Sequence, residues 1–273
     1  MNDDEYTLQY ISDLHLEMRD LTSIPLIKPI RDKKICLALC GDIGNPFLPT
    51  YKAFLNKHYE LYDYILIVAG NHEYYNTKSR ENTMKDTNNE IKNIMTNYDN
   101  VIFLNMNKVI IGRTKFIGCT FWSDISKIES IAENAMNDYK NIYVDFISTN
   151  DNTLYKTLIK SKDILVLHNQ MKTWIKSEID KYNSNTERKY DDIIILTHHA
   201  PSFKMLNKSD LYSPCYATDC DDLMGPPIKY WISGHTHVSK EVNINETRCL
   251  SNCMGYPFQN KTGYDISKHI TFK

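Results

Sequence analysis

The chain has 273 residues and a formal net charge of −2, with 42% hydrophobic and 24% charged residues. This length and composition are typical of a soluble globular protein with a sizeable core. The near-neutral charge and the lack of a long basic run argue against an extended nucleic-acid partner.

Neither a secretory signal nor a membrane span is expected. Residues 1–5 are acidic and lead straight into an apolar run, unlike a signal peptide. No stretch approaches the roughly 18 to 20 apolar residues that a membrane helix needs. The seven cysteines contain no CxxC pair, which favours a reducing compartment. We therefore expect a cytoplasmic protein without a membrane partner, and the oligomeric state stays open.

Short β-rich runs alternate with polar, helix-compatible stretches, which is typical of an α/β protein. The predicted strands are Tyr6–Ile11, Ile35–Cys40, Tyr64–Val68, Val101–Leu104, Lys108–Ile111, Lys115–Cys119, Ile193–Thr197, Lys229–Ser233 and Lys240–Ile244. The predicted helices are Thr50–His58, Lys78–Asn97, Ile125–Asp138 and Lys162–Tyr182. Because no linker or repeat interrupts this order, we predict a single domain over residues 1–273.

A largely helical insertion is predicted over about residues 121–190, between two groups of strands. Its last helix carries apolar residues near helical spacing, which predict a stripe facing the core. They are Leu165, Met171, Trp174, Ile175 and Ile179. The insertion is compatible with two positions, over one face of the sheets or above a functional site.

Five of the predicted strands end in clusters of Gly, Asn, Asp or His. The clusters are Asp13-Leu14-His15, Gly41-Asp42, Gly70-Asn71-His72-Glu73, His198-His199-Ala200-Pro201 and Gly234-His235-Thr236-His237. In open α/β sheets, ligands gather at the carboxyl ends of the strands, where loops converge. Five such ends would bring two Asp, one Asn and several His to one point.

This mixture of side chains suits a pair of divalent metal ions. Two ions about 3.5 to 4 Å apart need a bridging carboxylate, with imidazoles and hard oxygens around them. Mixed nitrogen and oxygen ligation without thiolate favours Mn²⁺, with Fe, Zn, Ni or Co as alternatives. A single histidine after a strand is as readily a structural residue as a ligand. Five motifs in this order are hard to obtain by chance.

The ordered motifs, from Asp13 to His237, resemble those of the calcineurin-like metallophosphoesterase superfamily. The resemblance implies two metal ions with Asp42 as the bridge between them. The first ion would be held by Asp13, His15, Asp42 and His237, and the second by Asp42, Asn71, His198 and His235. The resemblance also implies a four-layer α-β-β-α sandwich of two mixed sheets flanked by helices.

The implied activity is phosphoester hydrolysis by in-line attack of a metal-bridging hydroxide. His72 would bind no metal but would lie over the phosphate and act as general acid for the leaving oxygen. His199 would support the ligands from behind or contact the substrate. Asn45, Tyr74 and Trp122 are further candidates for substrate or supporting contacts.

The substrate class is predicted from what is missing. Ser/Thr protein phosphatases and diadenosine tetraphosphatases of this superfamily carry arginines beside the second and third motifs. Here those places are occupied by Asn45-Pro46-Phe47 and Ala69. Without this bidentate clamp on a phosphomonoester, a small or nucleotide-derived phosphodiester is the favoured substrate. A nuclease and a Ser/Thr protein phosphatase are the alternatives.

Several residues near the motifs are candidates for contacts with a nucleobase or a phosphate. Aromatic side chains beside a site can stack on a base, and they are Tyr74, Tyr75, Trp122, Tyr212 and Tyr216. Lys204 and Lys208 could meet phosphate, although solvated lysines are the commoner outcome. Met136-Asn137-Asp138-Tyr139, after Phe121-Trp122-Ser123, is similar to a microbial subgroup of the superfamily.

A non-catalytic scaffold with the same fold is the alternative from another class. It would be expected to lack ligand residues, above all the histidine of the third motif. Here every ligand position is filled and His72 is present, so the sequence favours an enzyme.

Overall fold

The computed structural model describes residues 5–30, 34–76, 81–147, 153–184 and 189–273. It contains the nine predicted strands, with ends that shift by one residue at most. They are β1 (Tyr6–Ile11), β2 (Ile35–Cys40), β3 (Tyr64–Val68), β4 (Val101–Phe103), β5 (Asn107–Ile111), β6 (Thr114–Cys119), β9 (Asp192–Thr197), β10 (Ile228–Ser233) and β11 (Glu241–Ile244). Four further strands were not predicted, and they are β7 (Tyr143–Ile147), β8 (Leu154–Leu158), β12 (Thr247–Ser251) and β13 (His269–Phe272).

Five α-helices are described: α1 (Pro49–His58), α2 (Met84–Met95), α3 (Glu129–Ala135), α4 (Asp138–Asn141) and α5 (Ser161–Ser184). The predicted helix Lys78–Asn97 begins late, because Thr83 and Asp86 form a reciprocal capping box that fixes its first turn. Residues 78–80 of that prediction lie outside the described residues. The predicted helix Ile125–Asp138 is corrected to α3 and α4, because Met136 between them has extended backbone.

The strands form two large mixed sheets. Sheet one has the order β13-β1-β2-β3-β4, and sheet two has the order β11-β12-β10-β9-β6-β5. In sheet one, β1 to β4 run parallel, and in sheet two, β6, β9, β10 and β12 run parallel. Parallel strands place their carboxyl ends at one edge, so each sheet presents its motif loops there.

Successive side chains of a strand point to opposite faces of its sheet, and this alternation creates the layers of the fold. In β2, Cys36, Ala38 and Cys40 belong to a buried cluster shared by both sheets, which is the layer between them. Ile35, Leu37 and Leu39 point the other way, into a cluster that also contains residues of the helices. The predicted α-β-β-α sandwich is confirmed.

The insertion differs from its prediction in one respect. It contains α3, α4 and α5, but also an antiparallel hairpin of β7 and β8. The predicted stripe on α5 is confirmed, since Met171, Ile175 and Ile179 are buried, and Leu165 and Trp174 pack against the same core.

Glu178, also on α5, is a buried acid with three lysine partners. Its carboxylate lies 2.8 Å from Lys108, 2.7 Å from Lys115 and 2.6 Å from Lys181. Burial raises the pKa of such a carboxyl, but the lysines outweigh it and lower the pKa to about 2. The cluster fixes α5 to β5 and β6 of sheet two.

None of the described helices has the length and the apolar character needed to cross a bilayer. All seven cysteines are buried free thiols.

Candidate metal centre

The structure brings the five motifs to one place at the edge shared by the two sheets. The loops after β1, β2 and β3 of sheet one supply Asp13, His15, Asp42 and Asn71. The loops after β9 and β10 of sheet two supply His198, His235 and His237. Each of these side chains is buried except that of His237, which is half-buried.

The backbone of these loops turns sharply at the candidate ligands themselves. Five of them have positive φ angles between 48° and 65°, and they are Asp13 (58°), His15 (48°), Asp42 (52°), His235 (65°) and His237 (50°). Residues other than glycine rarely adopt this left-handed conformation, and such strain clusters at functional sites. The i, i+2 pairs therefore converge through tight loops rather than along an extended strand.

Two glycines make room for the convergence. A Cβ atom on Gly41, whose φ is +82°, would lie 2.6 Å from Cγ of His198. A Cβ atom on Gly70 would lie 2.5 Å from the backbone nitrogen of Asp42. Both positions therefore exclude any larger residue while the site keeps its geometry.

The first group of candidate ligands is Asp13, His15, Asp42 and His237, whose donor atoms lie within 4.8 Å of one another. Nε2 of His15 is 3.1 Å from Nε2 of His237 and 3.9 Å from Asp42 Oδ2. Nε2 of His237 is 3.4 Å from Asp13 Oδ1.

The second group is Asp42, His198 and His235, again with donor atoms within 4.8 Å. Nε2 of His198 is 3.2 Å from Nδ1 of His235 and 3.3 Å from Asp42 Oδ1. The amide oxygen of Asn71 lies 3.0 Å from the same His198 nitrogen. Asp42 therefore belongs to both groups, with one oxygen toward each.

Both groups fit divalent metal ions. Two nitrogens that each bind an ion at about 2.1 Å lie about 3.0 to 3.4 Å apart in octahedral or tetrahedral geometry. The two facing pairs of imidazole nitrogens have this separation, 3.1 and 3.2 Å. A cation between them also removes the repulsion of facing lone pairs. The donor set of carboxylate, amide oxygen and imidazole suits a borderline metal.

Glu73 holds the Asp42 loop in place. Its fully buried carboxylate accepts hydrogen bonds from the backbone N–H groups of Asp42 (3.0 Å), Ile43 (2.7 Å), Gly44 (3.3 Å) and Gly70 (2.6 Å). Burial, followed by the charge of Asp42, raises the pKa of Glu73 to about 7, whereas these amide hydrogen bonds favour the ionised form. In that form the carboxylate is a strong constraint on the loop. The last residue of the third motif thus fixes Asp42, the residue that the two candidate groups share.

His72 lies beside the first group but outside both. Its Nδ1 is 2.9 Å from Oε1 of Glu17, which is also 3.0 Å from Nδ1 of His15. Its Nε2 is 3.4 Å from the hydroxyl of Tyr256. Burial lowers the pKa of His72, but the charges of Asp42 and Glu17 outweigh it and raise the pKa to about 9.

A cavity of about 370 Å³ opens onto both groups. The insertion forms one of its walls, through Ala135, Met136 and Asn137, so the region between α3 and α4 overhangs the site. Aromatic walls come from Tyr75, Tyr216 and Tyr256, and His72 lies among them. Among the described residues that line the cavity, none is Lys or Arg.

His199 lies behind His235 rather than in the cavity. The two rings are 4.1 Å apart, and His199 packs on Trp122 with Nδ1 3.3 Å from the Thr120 carbonyl. Burial, followed by the charge of His198, lowers its pKa to about 3, so the ring is neutral. Its position fits a supporting residue and not a substrate contact.

The three further candidates for substrate or supporting contacts, Asn45, Tyr74 and Trp122, do not line the cavity. Tyr74 and Trp122 are buried, and neither lines the cavity. The short helical turn His72–Tyr74 directs Tyr74 into the core, whereas Tyr75 after it faces the cavity. Asn45 braces the loop, because its amide donates to the Tyr75 carbonyl at 2.7 Å.

Three candidates in the loop after the fourth motif also lie away from the cavity lining, and they are Lys204, Lys208 and Tyr212. Lys204 pairs with Asp221 at 2.8 Å, and neither Lys208 nor Tyr212 is among the lining residues.

Sequence reasoning missed Glu17, Tyr256 and the role of Asp138. The one local signal for Glu17 in the sequence is its position two residues after His15.

Comparisons with known proteins agree with this geometry. A family model described as calcineurin-like phosphoesterase matches residues 10–239. An uncharacterized protein of Acanthamoeba polyphaga mimivirus is 32% identical in an alignment of 267 positions that covers 91% of each chain. Phosphopantetheinyl hydrolase from Mycobacterium tuberculosis has a similar structure, with a TM-score of 0.67, 14% identity and 95% of each chain covered. A dimetal phosphatase from Danio rerio has a TM-score of 0.52 and 10% identity, covering 90% of this chain and 86% of the other. These two structural likenesses show the fold.

Proposed function

Because the chain belongs to the calcineurin-like phosphoesterase family, and is thereby a metal-dependent phosphoesterase, we propose that it cleaves small phosphodiesters, nucleotide-derived ones first. The observation that carries this proposal is the cavity itself. It joins two ligand groups that share Asp42, one histidine outside both groups, and tyrosine walls.

We assign the two groups to two ions, with Mn²⁺ favoured by the mixed nitrogen and oxygen donors. Asp13, His15, Asp42 and His237 would hold the first ion. Asp42, Asn71, His198 and His235 would hold the second. When bound, such a pair activates a water molecule for attack and stabilises the charge that develops on the phosphoryl oxygens.

His72 is assigned as the residue that protonates the leaving oxygen. Glu17 holds its Nδ1 at 2.9 Å, which directs Nε2 toward Tyr256 at the cavity. A proton on Nδ1 shared with a carboxylate fixes the ring orientation, and the other nitrogen is then the one that exchanges a proton with substrate.

The cavity walls support a diester over a monoester. A phosphomonoester dianion carries more charge than a diester, so it would gain most from a cationic clamp. None of the described lining residues is a lysine or an arginine that could form such a clamp. Tyr75, Tyr216 and Tyr256 instead offer flat surfaces on which a base or another ring can stack, for about 1 to 3 kcal/mol.

The buried free thiols support a reducing compartment such as the cytoplasm. None of the seven cysteines has formed a disulfide, and reduced thiols persist where glutathione and thioredoxin act.

The test is one substrate panel at fixed pH with Mn²⁺. It contains an aryl phosphodiester, a cyclic mononucleotide, a short single-stranded oligonucleotide and a phosphoserine peptide. We expect the first two to have the highest kcat/KM, and we expect activity to vanish on chelation and to return with added Mn²⁺.

Each other outcome selects another function. A tenfold advantage for the phosphopeptide, about 1.4 kcal/mol of transition-state binding, would favour a protein phosphatase. The same advantage for the oligonucleotide would favour a nuclease. Full activity in protein that elemental analysis finds free of metal would refute the two-metal assignment.

A further inference from the structure

Asp138 is a buried carboxylate that belongs to none of the five motifs. It opens α4 in the insertion and is 6% exposed. It lies 67 residues after Asn71 in the chain, yet its Oδ1 is 2.9 Å from the Asn71 amide nitrogen. The insertion therefore reaches a side chain of the candidate metal centre.

Asp138 determines which way the Asn71 amide faces. Oδ1 of Asp138 accepts the hydrogen bond from the NH₂ group of Asn71, so the amide oxygen of Asn71 points away from Asp138. That oxygen then lies 3.0 Å from Nε2 of His198, inside the second ligand group. Only the oxygen of an amide can bind a divalent cation, so this orientation is the one that a metal site needs.

Tyr75 completes a three-membered network. Its hydroxyl donates to the same Asp138 oxygen at 2.7 Å and accepts from the Asn71 amide at 3.1 Å. Its ring stacks on His72, with centroids 4.2 Å apart and planes 27° apart. One carboxylate thus holds both an amide of the second ligand group and the ring that packs on His72.

The backbone around Asp138 is anchored well enough to hold this geometry. Asn76 N–H donates to the Asn141 carbonyl at 2.9 Å, which joins α4 to the chain just after Tyr75. The neighbours Tyr139 and Ile142 are buried in the main hydrophobic cluster. A buried, anchored acceptor orients a ligand better than a mobile surface group does.

We propose that Asp138 is a positioning residue of the metal centre, which holds the Asn71 oxygen toward the second metal ion and Tyr75 against His72. This assignment rests on the proposed two-metal function. It gives the insertion a role in the reaction rather than only in the fold. It also gives the Met136-Asn137-Asp138-Tyr139 motif a physical meaning.

The experiment compares Asp138→Ala with Asp138→Asn, using purified full-length protein. Mn²⁺ bound per chain is measured by equilibrium dialysis over a range of free Mn²⁺, with kcat and KM measured separately. Asp138→Ala removes the acceptor, and we expect one of the two ions to bind roughly 10- to 100-fold more weakly. We expect kcat to fall while KM changes little. Asp138→Asn keeps an acceptor oxygen, so its ion binding should return to within about threefold of the wild type.

Four further variants separate positioning from stability. Asp145→Ala, on exposed β7 of the same insertion, is the matched control and should bind both ions normally. Asn71→Ala should weaken the same ion as Asp138→Ala, and the double variant should add little, since both act through one amide. Asp138→Ser replaces Asp138→Ala if the latter does not fold.

The outcomes distinguish this inference from the proposed function. If the wild type binds two ions and hydrolyses phosphodiesters, but Asp138→Ala or Asp138→Ser binds both ions normally, the positioning role is wrong and the function stands. A lower melting temperature with normal ion binding leads to the same conclusion. If the wild type binds no metal, both the proposed function and this inference are overturned.

Discussion

Replacing Glu73 by glutamine should destabilise the protein strongly, although the change removes only one acceptor oxygen. In the wild type, Oε2 accepts from Asp42 and Gly70, and Oε1 accepts from Ile43 and Gly44. A glutamine amide offers one oxygen and one NH₂, so either orientation leaves two buried N–H groups facing a donor.

The magnitude follows from those two groups. A buried N–H that loses its partner costs about 1 to 3 kcal/mol, so the pair costs about 2 to 6 kcal/mol. Whole domains are stable by only about 5 to 15 kcal/mol. The Asp42 loop should also loosen, and both ions should bind more weakly.

Urea unfolding at about pH 8, above the raised pKa of about 7 of Glu73, measures the free energy of unfolding with and without Mn²⁺. Glu90→Gln is the control, because Glu90 pairs with Lys52 at 3.3 Å on the surface, where such a pair contributes about 0 to 1 kcal/mol. The reasoning fails if Glu73→Gln lies within about 1 kcal/mol of this control.

Three other predictions test the centre and the fold. Asp42→Asn should weaken the binding of both ions in a dialysis assay, whereas His72→Ala should keep both ions and lose roughly 10²- to 10⁴-fold in kcat, most with poor leaving groups. An empty site in His72→Ala would contradict this division of roles. Gly41→Ala should lower the melting temperature more than Gly263→Ala. Both glycines have a positive φ (+82° and +75°), but only a Cβ atom on Gly41 would lie against a ring, that of His198. Equal shifts of the melting temperature would refute the steric argument. The pKa of Glu178 is lowered to about 2 in the fold, so its contribution to stability is present above about pH 4.5 and is lost as the pH falls toward 2. The difference in unfolding free energy between the wild type and Glu178→Gln should shrink over that window, and a difference independent of pH would exclude the ionised cluster.

The sequence was most informative where apolar runs end abruptly. β1, β2 and β3 have the predicted bounds, because each stops at a polar cluster and because β2 and β3 are continuous apolar runs. The convergence of the ligand residues follows from the same fact, since parallel strands share their carboxyl edge. By contrast, β12 has the sequence Thr-Arg-Cys-Leu-Ser, with little apolar content. It forms because it pairs with β10 and β11, which no local pattern reveals.

The parts of the site that escaped prediction depend on tertiary contacts. Tyr74 and Tyr75 are neighbours of the same type, and only the turn His72–Tyr74 decides which of them faces the cavity. Asp138, at the start of α4, and Tyr256 lie outside the five motifs. Their spacing along the chain therefore does not predict that they reach the site. Their contacts, a carboxylate to an amide and a hydroxyl to an imidazole, are visible only once the chain is folded.

The division of ligands between the two sheets constrains when metal can be loaded. Each ligand group takes residues from both sheets: Asp13 and Asp42 of sheet one meet His237 of sheet two, and Asp42 also meets His198 and His235. Neither sheet alone therefore contains a complete candidate site. A chain in which only one sheet has formed holds only some of the residues of each ligand group. With the proposed ligands, an ion would be captured only after the sheets dock, so the left-handed turns at the candidate ligands would be held by protein contacts alone until then. Metal supply should accordingly govern how much of the folded protein is active, and not how fast the chain folds.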